Sequence, residues 1–281
     1  MAKHKNPGWR FGRTKRLRDL SGSSQMLHHG ELISAYAKFC HARVIVEIGV
    51  QHGNTTSYLC EAASVTGGKV YGYDFFPEGK ETIGAYDKED QKYPMEPVKQ
   101  RLIDEGHSPS LFKLRKIDSQ SPEFLDVLKK DIGWDNHNTK RGGLIDLAFI
   151  DGCHSYAGAK NDFINIYPLL ARDGSIFFHD TFSHVGLRKL VLDLYEELND
   201  GTYDIINLPY GHGKKRVGVT ILTKRSYPLS WKPDPLNGRG DLDLRGGIIN
   251  TEHDKDMDTL GVYKAEHKWY LEQLKKNKKE E

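Results

Sequence analysis

The chain has 281 residues, 37% of them hydrophobic and 28 of them glycine, which is enough to bury one full α/β core with added segments but not two large domains. Lysine and arginine total 41 against 39 acids, and a net charge of +2 gives no overall attraction to nucleic acid or an anionic membrane, so neither partner is expected. No run approaches the roughly 20 apolar residues that span a bilayer, and Cys40, Cys60 and Cys153 show neither paired spacing nor a Cys-x-x-Cys arrangement, which argues against a disulfide framework or zinc knuckle and suits a reducing cytoplasm.

In chain order, residues 1–22 read as an irregular basic arm, in which Lys5, Arg10, Arg13, Lys15 and Arg16 precede the first acid, Asp19. Ser23 to Cys40 follows as a leader helix with Leu27, Leu32, Ile33, Tyr36 and Phe39 facing inward. Such a helix can cover a site on the sheet below, which makes His28, His29 and Tyr36 candidates for lining it. Val44 to Ile48 is a buried strand, and the turn beyond it carries Gly49 and Gly53, with Asn54, Thr55 or Thr56 placed to cap the next helix. Val50, Gln51 and His52 separate the two glycines, so the spacing is not Gly-x-Gly-x-x-Gly, and a pyrophosphate site is disfavoured. Glu47 would repel a phosphate and suits a ligand with positive charge or donor groups.

Lys69 to Asp74 is a second strand ending in an acid, placed where a carboxylate can accept two ribose hydroxyls. Residues 78–105 predict a helix with an irregular insertion, and Leu111 to Ser119 a third strand that carries Asp118. A polar loop, Trp134 to Gly143, precedes Leu147-Ala-Phe-Ile-Asp-Gly-Cys-His-Ser-Tyr156, and an amphipathic stretch then leads to Gly174-Ser-Ile-Phe-Phe-His-Asp-Thr181. Strand ends on one edge of a parallel sheet meet above that edge, so Asp151, His154, His179 and Asp180 are expected to converge. Val185 to Leu198 predicts a helix, and Tyr203 to Leu208 and Val217 to Leu222 two more strands joined through Pro209 to Lys215. Beyond Ser226 the pattern weakens into an appendage, residues 226–281, with a helical tail from about Thr259 to Lys276 that wraps the domain or supports a homo-oligomer.

The glycine-spaced turn after Glu47, together with Ile-Asp-Gly-x-His-Ser-Tyr, a helix with Asp162, Leu-Leu-x-x-x-Gly and a strand ending His-Asp, resembles methyltransferase family 24 of the class I S-adenosylmethionine-dependent methyltransferases. Its relatives include small-molecule and sugar O-methyltransferases and cephalosporin hydroxylase-like enzymes. The resemblance covers about residues 43 to 181. It implies an α/β, Rossmann-like, seven-stranded and mostly parallel sheet with helices on both faces, a last strand entering antiparallel, and a domain spanning 23–225. It also implies S-adenosylmethionine (SAM) held by Glu47, Gly49, Gly53, Thr55, Asp74, Asp118 and Asp151, and methyl transfer to a hydroxyl of a small molecule, with His154, His179 and Asp180 as catalytic groups. In the metal-dependent branch, acids at these strand ends bind Mg2+ or another divalent cation, which maps onto Asp151, His179 and Asp180. His179 stands where those relatives carry a second acid, a softer donor that admits Mn2+, Fe2+ or Zn2+ or removes the metal altogether. Two alternatives stand beside this reading: a metal-dependent hydroxylase-like enzyme built on the His and carboxylate cluster, and a non-catalytic protein that binds a cofactor or, through its basic arms, nucleic acid.

Overall fold

The computed structural model describes residues 26–78, 93–134, 143–198, 201–209, 211–212 and 215–226. The basic arm, the insertion within 78–105 and the C-terminal extension were read on stretches that lie wholly or partly outside these residues, and the expected inward or pocket-lining roles of Leu27 and His28 rest on side chains outside the description.

The elements alternate as a doubly wound fold requires. Helix α1 (Met26–Phe39) leads into strand β1 (Val44–Ile48), then α2 (Asn54–Thr66), β2 (Lys69–Asp74), α3 (Met95–Asp104), β3 (Phe112–Lys116), α4 (Phe124–Ile132), β4 (Ile145–Ile150), α5 (Tyr156–Ile166), β5 (Leu170–His179), α6 (Val185–Glu196) and β6 (Tyr203–Leu208). A short ladder of β7 (Gly211–His212) and β8 (Lys215–Arg216) then precedes β9 (Val219–Lys224). Seven strands form one sheet in the order β3-β2-β1-β4-β5-β9-β6, parallel except for β9, which runs antiparallel to both β5 and β6. The expected sheet and its reversed last strand are therefore present.

Both faces of the sheet are covered, which explains why its central strands are predominantly apolar instead of alternating regularly with polar residues. Along β1, Val46 and Ile48 join a core with Phe124, Leu128, Phe163, Ile166, Leu187 and Leu190, from α4, α5 and α6. Ile45 points the opposite way, into a second core with Ile33, Leu59, Ala63, Val98 and Leu102, from α1, α2 and α3. The strand period of two places Glu47 on the face of Ile45, under α1 and α2. The same alternation sends His179 to the side of Phe177, which belongs to that second core.

Three expectations are corrected. The cap of α2 is Gly53, in the left-handed region at φ 75° with no side-chain cap bond, and Asn54, Thr55 and Thr56 sit within the helix. Phe39, expected to face inward, is 82% exposed because α1 ends there and the chain turns away toward β1. Tyr36 does not line a pocket at the strand ends. Its hydroxyl lies 2.8 Å from Ser175 Oγ, midway along β5, and its ring packs edge-on against Phe177.

Candidate active site

The turn after β1 is shaped by backbone contact. Gly49 has φ 91°, and a Cβ there would lie 2.2 Å from the carbonyl oxygen of Asp151, so only glycine lets the ends of β1 and β4 come this close. Asp151 N–H donates to Ile48 O at 2.8 Å, and Gly49 N–H to Tyr73 O at 2.9 Å, which fixes the ends of β1, β2 and β4 side by side.

Three carboxylates gather at those ends. Glu47 is fully buried; Thr56 donates to its Oε2 at 2.6 Å, and its Oε1 has no hydrogen-bond partner. Burial pushes Glu47 well above the usual carboxylate range, and the charges of Asp151 and Asp74 push it further. Asp74 is raised by burial, although its Oδ2 and Oδ1 accept N–H bonds from Gln51 and Phe76, each at 2.8 Å. A crescent of acids that repel one another is suited to a cation or a cluster of N–H and O–H donors. Tyr93 stands over this end: its ring meets His52 edge-on at 5.3 Å, and burial, with the charge of Asp74 adding to it, pushes its hydroxyl up to about 12.

The second group forms at the ends of β4 and β5. Asp151 Oδ1 lies 3.2 Å from His154 Nε2 and 3.1 Å from His179 Nδ1, so one oxygen takes two imidazole donors. Burial raises the Asp151 carboxyl, but the two imidazoles outweigh it and hold the group well below the usual range. Burial lowers His179, but Asp151 and Asp180 reverse this and raise it to about 9. His154 is lowered by burial and raised by more through its bond to Asp151 and the charge of Asp180. The cluster therefore holds positive charge between two acids at neutral pH. On its α1 side, His29 lies with its ring centroid 4.4 Å from that of His179, stacks on Phe149 and reaches Thr55 Oγ1 at 3.3 Å.

Local sequence explains the placement. Ser155 caps α5 by accepting Gly158 N–H at 3.1 Å, which leaves His154 in the turn just outside the helix. Asp180 adopts the left-handed region at φ 58°, an uncommon state for a side-chain-bearing residue that is characteristic of functional turns. Its carbonyl accepts Ser183 N–H at 3.0 Å and His184 N–H at 3.2 Å, and this tight turn returns His184 to the cluster. His184 Nε2 is 3.6 Å from Asp180 Oδ2, and burial together with the charge on His154 lowers its imidazole to about 2, so it is neutral. His184 was not among the sequence candidates; its signal is the four-residue spacing from Asp180.

The structure thus brings Asp151, His154, His179 and Asp180 together and sets Glu47, Gly49 and Asp74 on the same rim. Gly53 and Thr55 open α2 beside it. Asp118 sits in the loop after β3, exposed, with its Oδ1 accepting Gln120 N–H at 2.9 Å. Gln120 in turn donates to the carboxyl of Asp162 at 3.0 Å, tying that loop to α5. The set Asp151, His179 and Asp180 offers one ligand atom each within 4.8 Å of one another, and its two carboxylates and imidazole suit a divalent first-row ion. Among the described residues, no helix is long and apolar enough to cross a membrane.

Residues 46–181 match the methyltransferase family 24 model, described as a methyltransferase domain. No curated protein is a significant sequence match. Among solved structures the chain is similar to TomG, an O-methyltransferase from Streptomyces achromogenes involved in tomaymycin synthesis and determined with SAM, at 14% identity and TM-score 0.52 over 79% of this chain and 91% of that one. It is also similar to an O-methyltransferase from Bacillus cereus in complex with S-adenosylhomocysteine (SAH), at 14% identity and TM-score 0.52 over 76% and 91%. A third, the SAH-bound methyltransferase PaMTH1 from Podospora anserina, is 17% identical with TM-score 0.51 over 79% and 90%. At these identities the structural likeness shows a shared fold.

Proposed function

We propose that the chain, whose residues 46–181 match a methyltransferase domain, is a class I SAM-dependent methyltransferase that methylates a hydroxyl oxygen of a small molecule, such as a sugar or secondary metabolite, with a divalent ion at the strand-end acids assisting. The observation that carries this reading is the position of Asp151, whose charge acts on Glu47 and whose carboxylate receives His154 and His179. A donor pocket and an acid-base cluster therefore share one residue.

SAM, when bound, supplies a methyl group on a positively charged sulfur. The residues present fit it. The buried Oε1 of Glu47 needs a donor, which an ammonium provides, and the mutual repulsion of Glu47, Asp74 and Asp151 is relieved by positive charge. Gly49, Gly53 and Thr55 form the turn against the amino acid end. Asp74, fixed by the Gln51 and Phe76 amides, would accept the ribose hydroxyls, and Asp118 would serve the base.

An alcohol or phenol with a pKa of about 10 or more attacks poorly at neutral pH, so the protein must remove its proton as the methyl group moves. His154 is placed to take that proton, and Asp151 stabilises the imidazolium formed. His179, raised to about 9, already holds a proton at neutral pH, and a divalent cation bound there would displace it. Asp151, His179 and Asp180 would hold such an ion, whose chemistry would be to polarise the acceptor oxygen. The O-methyltransferases among the structurally similar proteins support oxygen as the atom methylated.

The test is incubation with methyl-labelled SAM and a panel of phenols, catechols and hydroxylated sugars, with and without Mg2+ or Mn2+. SAH release together with a product one methyl heavier at oxygen is expected. Methylation confined to nitrogen, sulfur or carbon would overturn the oxygen assignment.

A further inference from the structure

We propose that His154, Asp180 and His184 form a binding site for a late first-row divalent ion, sharing only Asp180 with the set Asp151, His179 and Asp180. Asp180 divides its two oxygens between the two groups. Its Oδ1 faces His179 Nδ1 at 3.6 Å, whereas its Oδ2 faces His154 Nε2 at 3.8 Å and His184 Nε2 at 3.6 Å. The His154 and His184 rings lie 4.1 Å apart between centroids, and one ligand atom from each of the three residues falls within 4.8 Å of the others.

Bonds of about 2.1 Å around a tetrahedral ion place its ligand atoms about 3.4 Å apart, so the two contacts to Oδ2 need to close by only a few tenths of an ångström. The turn is built for this. The left-handed Asp180 and the Ser183 and His184 amides on its carbonyl hold the i and i+4 donors on one side. Two imidazoles and one carboxylate are a borderline-soft set that takes Fe2+, Co2+, Ni2+ or Zn2+ in preference to Mg2+, which favours oxygen donors.

This inference rests on the metal part of the proposed function, with His154 acting as ligand rather than as base while the ion is bound, and its test needs no methyl transfer. Chelator-stripped protein is titrated with Co2+ and followed by its visible absorption, with SAH binding measured calorimetrically on the same samples. The expected result is cobalt bands in the parent protein, an affinity at least about tenfold weaker in His184→Gln, and a change under about threefold in His179→Gln. To separate loss of the ligand from loss of folding in His184→Gln, His184→Cys provides a positive readout: it should retain Co2+ and add an intense thiolate-to-cobalt charge-transfer band. Unchanged Co2+ affinity in His184→Gln, a larger loss in His179→Gln, or a His184→Cys spectrum without the new band would overturn the site. Cobalt bands that follow His184 in a protein that does not bind SAH would support the site while overturning the methyltransferase reading.

Discussion

His179 Nδ1 stands 3.1 Å from Asp151 Oδ1, and this contact joins the end of β5 to the end of β4 through a shared charge. Asp151 stays ionised and His179 protonated because each stabilises the other, and His154, on the same oxygen, is drawn in as well. The cluster behaves as one unit, and substitutions should be read that way.

Asp151→Asn keeps the shape and removes the charge. Methyl transfer should fall by about a hundredfold to ten-thousandfold, the range for a lost acid-base unit, while SAH affinity changes far less. Steady-state rates beside calorimetry check this; a variant with parental kcat would remove Asp151 from the mechanism.

Glu47→Gln separates stability from binding. Burial raises the Glu47 pKa, so ionising this group opposes folding, and the opposition grows as pH rises above its ordinary value near 4.5. The amide oxygen can still accept from Thr56. The variant should therefore melt higher than the parent at pH 8 without cofactor, yet bind SAM about tenfold or more weakly through loss of a charged hydrogen bond. Melting curves and SAM titration together decide it, and equal SAM affinity would refute the assignment.

Gly49→Ala and Gly67→Ala compare two left-handed glycines. The first would set a Cβ 2.2 Å from Asp151 O, whereas nothing lies within 4 Å of a Cβ on Gly67 at φ 67°. Gly67→Ala should cost about 1 kcal/mol from backbone strain alone. Gly49→Ala should cost about 3 kcal/mol or more, because backbone must move, and should also weaken SAH binding. Denaturant unfolding checks the order.

Asp162 gives a pH signature. Burial raises its carboxyl to about 7, against the hydrogen bonds from Ser119 and Gln120. Between about pH 4 and 7 the folded state holds a proton that the unfolded chain has lost, so stability attributable to this group falls as pH rises through that window and levels off above it. The slope is at most about 1.4 kcal/mol per pH unit. Asp162→Asn should flatten it and stabilise the protein at pH 8, as seen in melting temperatures across that range. An unchanged pH profile would show that Asp162 ionises freely.

The sheet and much of the candidate rim could be read from sequence because each apolar run stops at a polar residue and strand ends share an edge. Glu47, Asp74, Asp151 and the His179–Asp180 pair all lie at such stops. His184 escaped because it follows the strand by a turn that depends on a left-handed Asp180, a backbone state that residue type does not reveal. Capping by Asn54 to Thr56 failed for a related reason, since Gly53 turns the chain one residue earlier. Helical periodicity marked Phe39 as inward but does not report where the helix leaves the core. Tyr36 does face inward, but toward Ser175 rather than the strand ends, because periodicity gives a face and not a height along the sheet.

The most direct test is a crystal structure of the protein with SAH. The account predicts the homocysteine ammonium within hydrogen-bond reach of Glu47 Oε1, the ribose hydroxyls at Asp74 and the sulfur facing the Asp151–His179 contact. SAH bound elsewhere, or with its sulfur turned away from that contact, would contradict it.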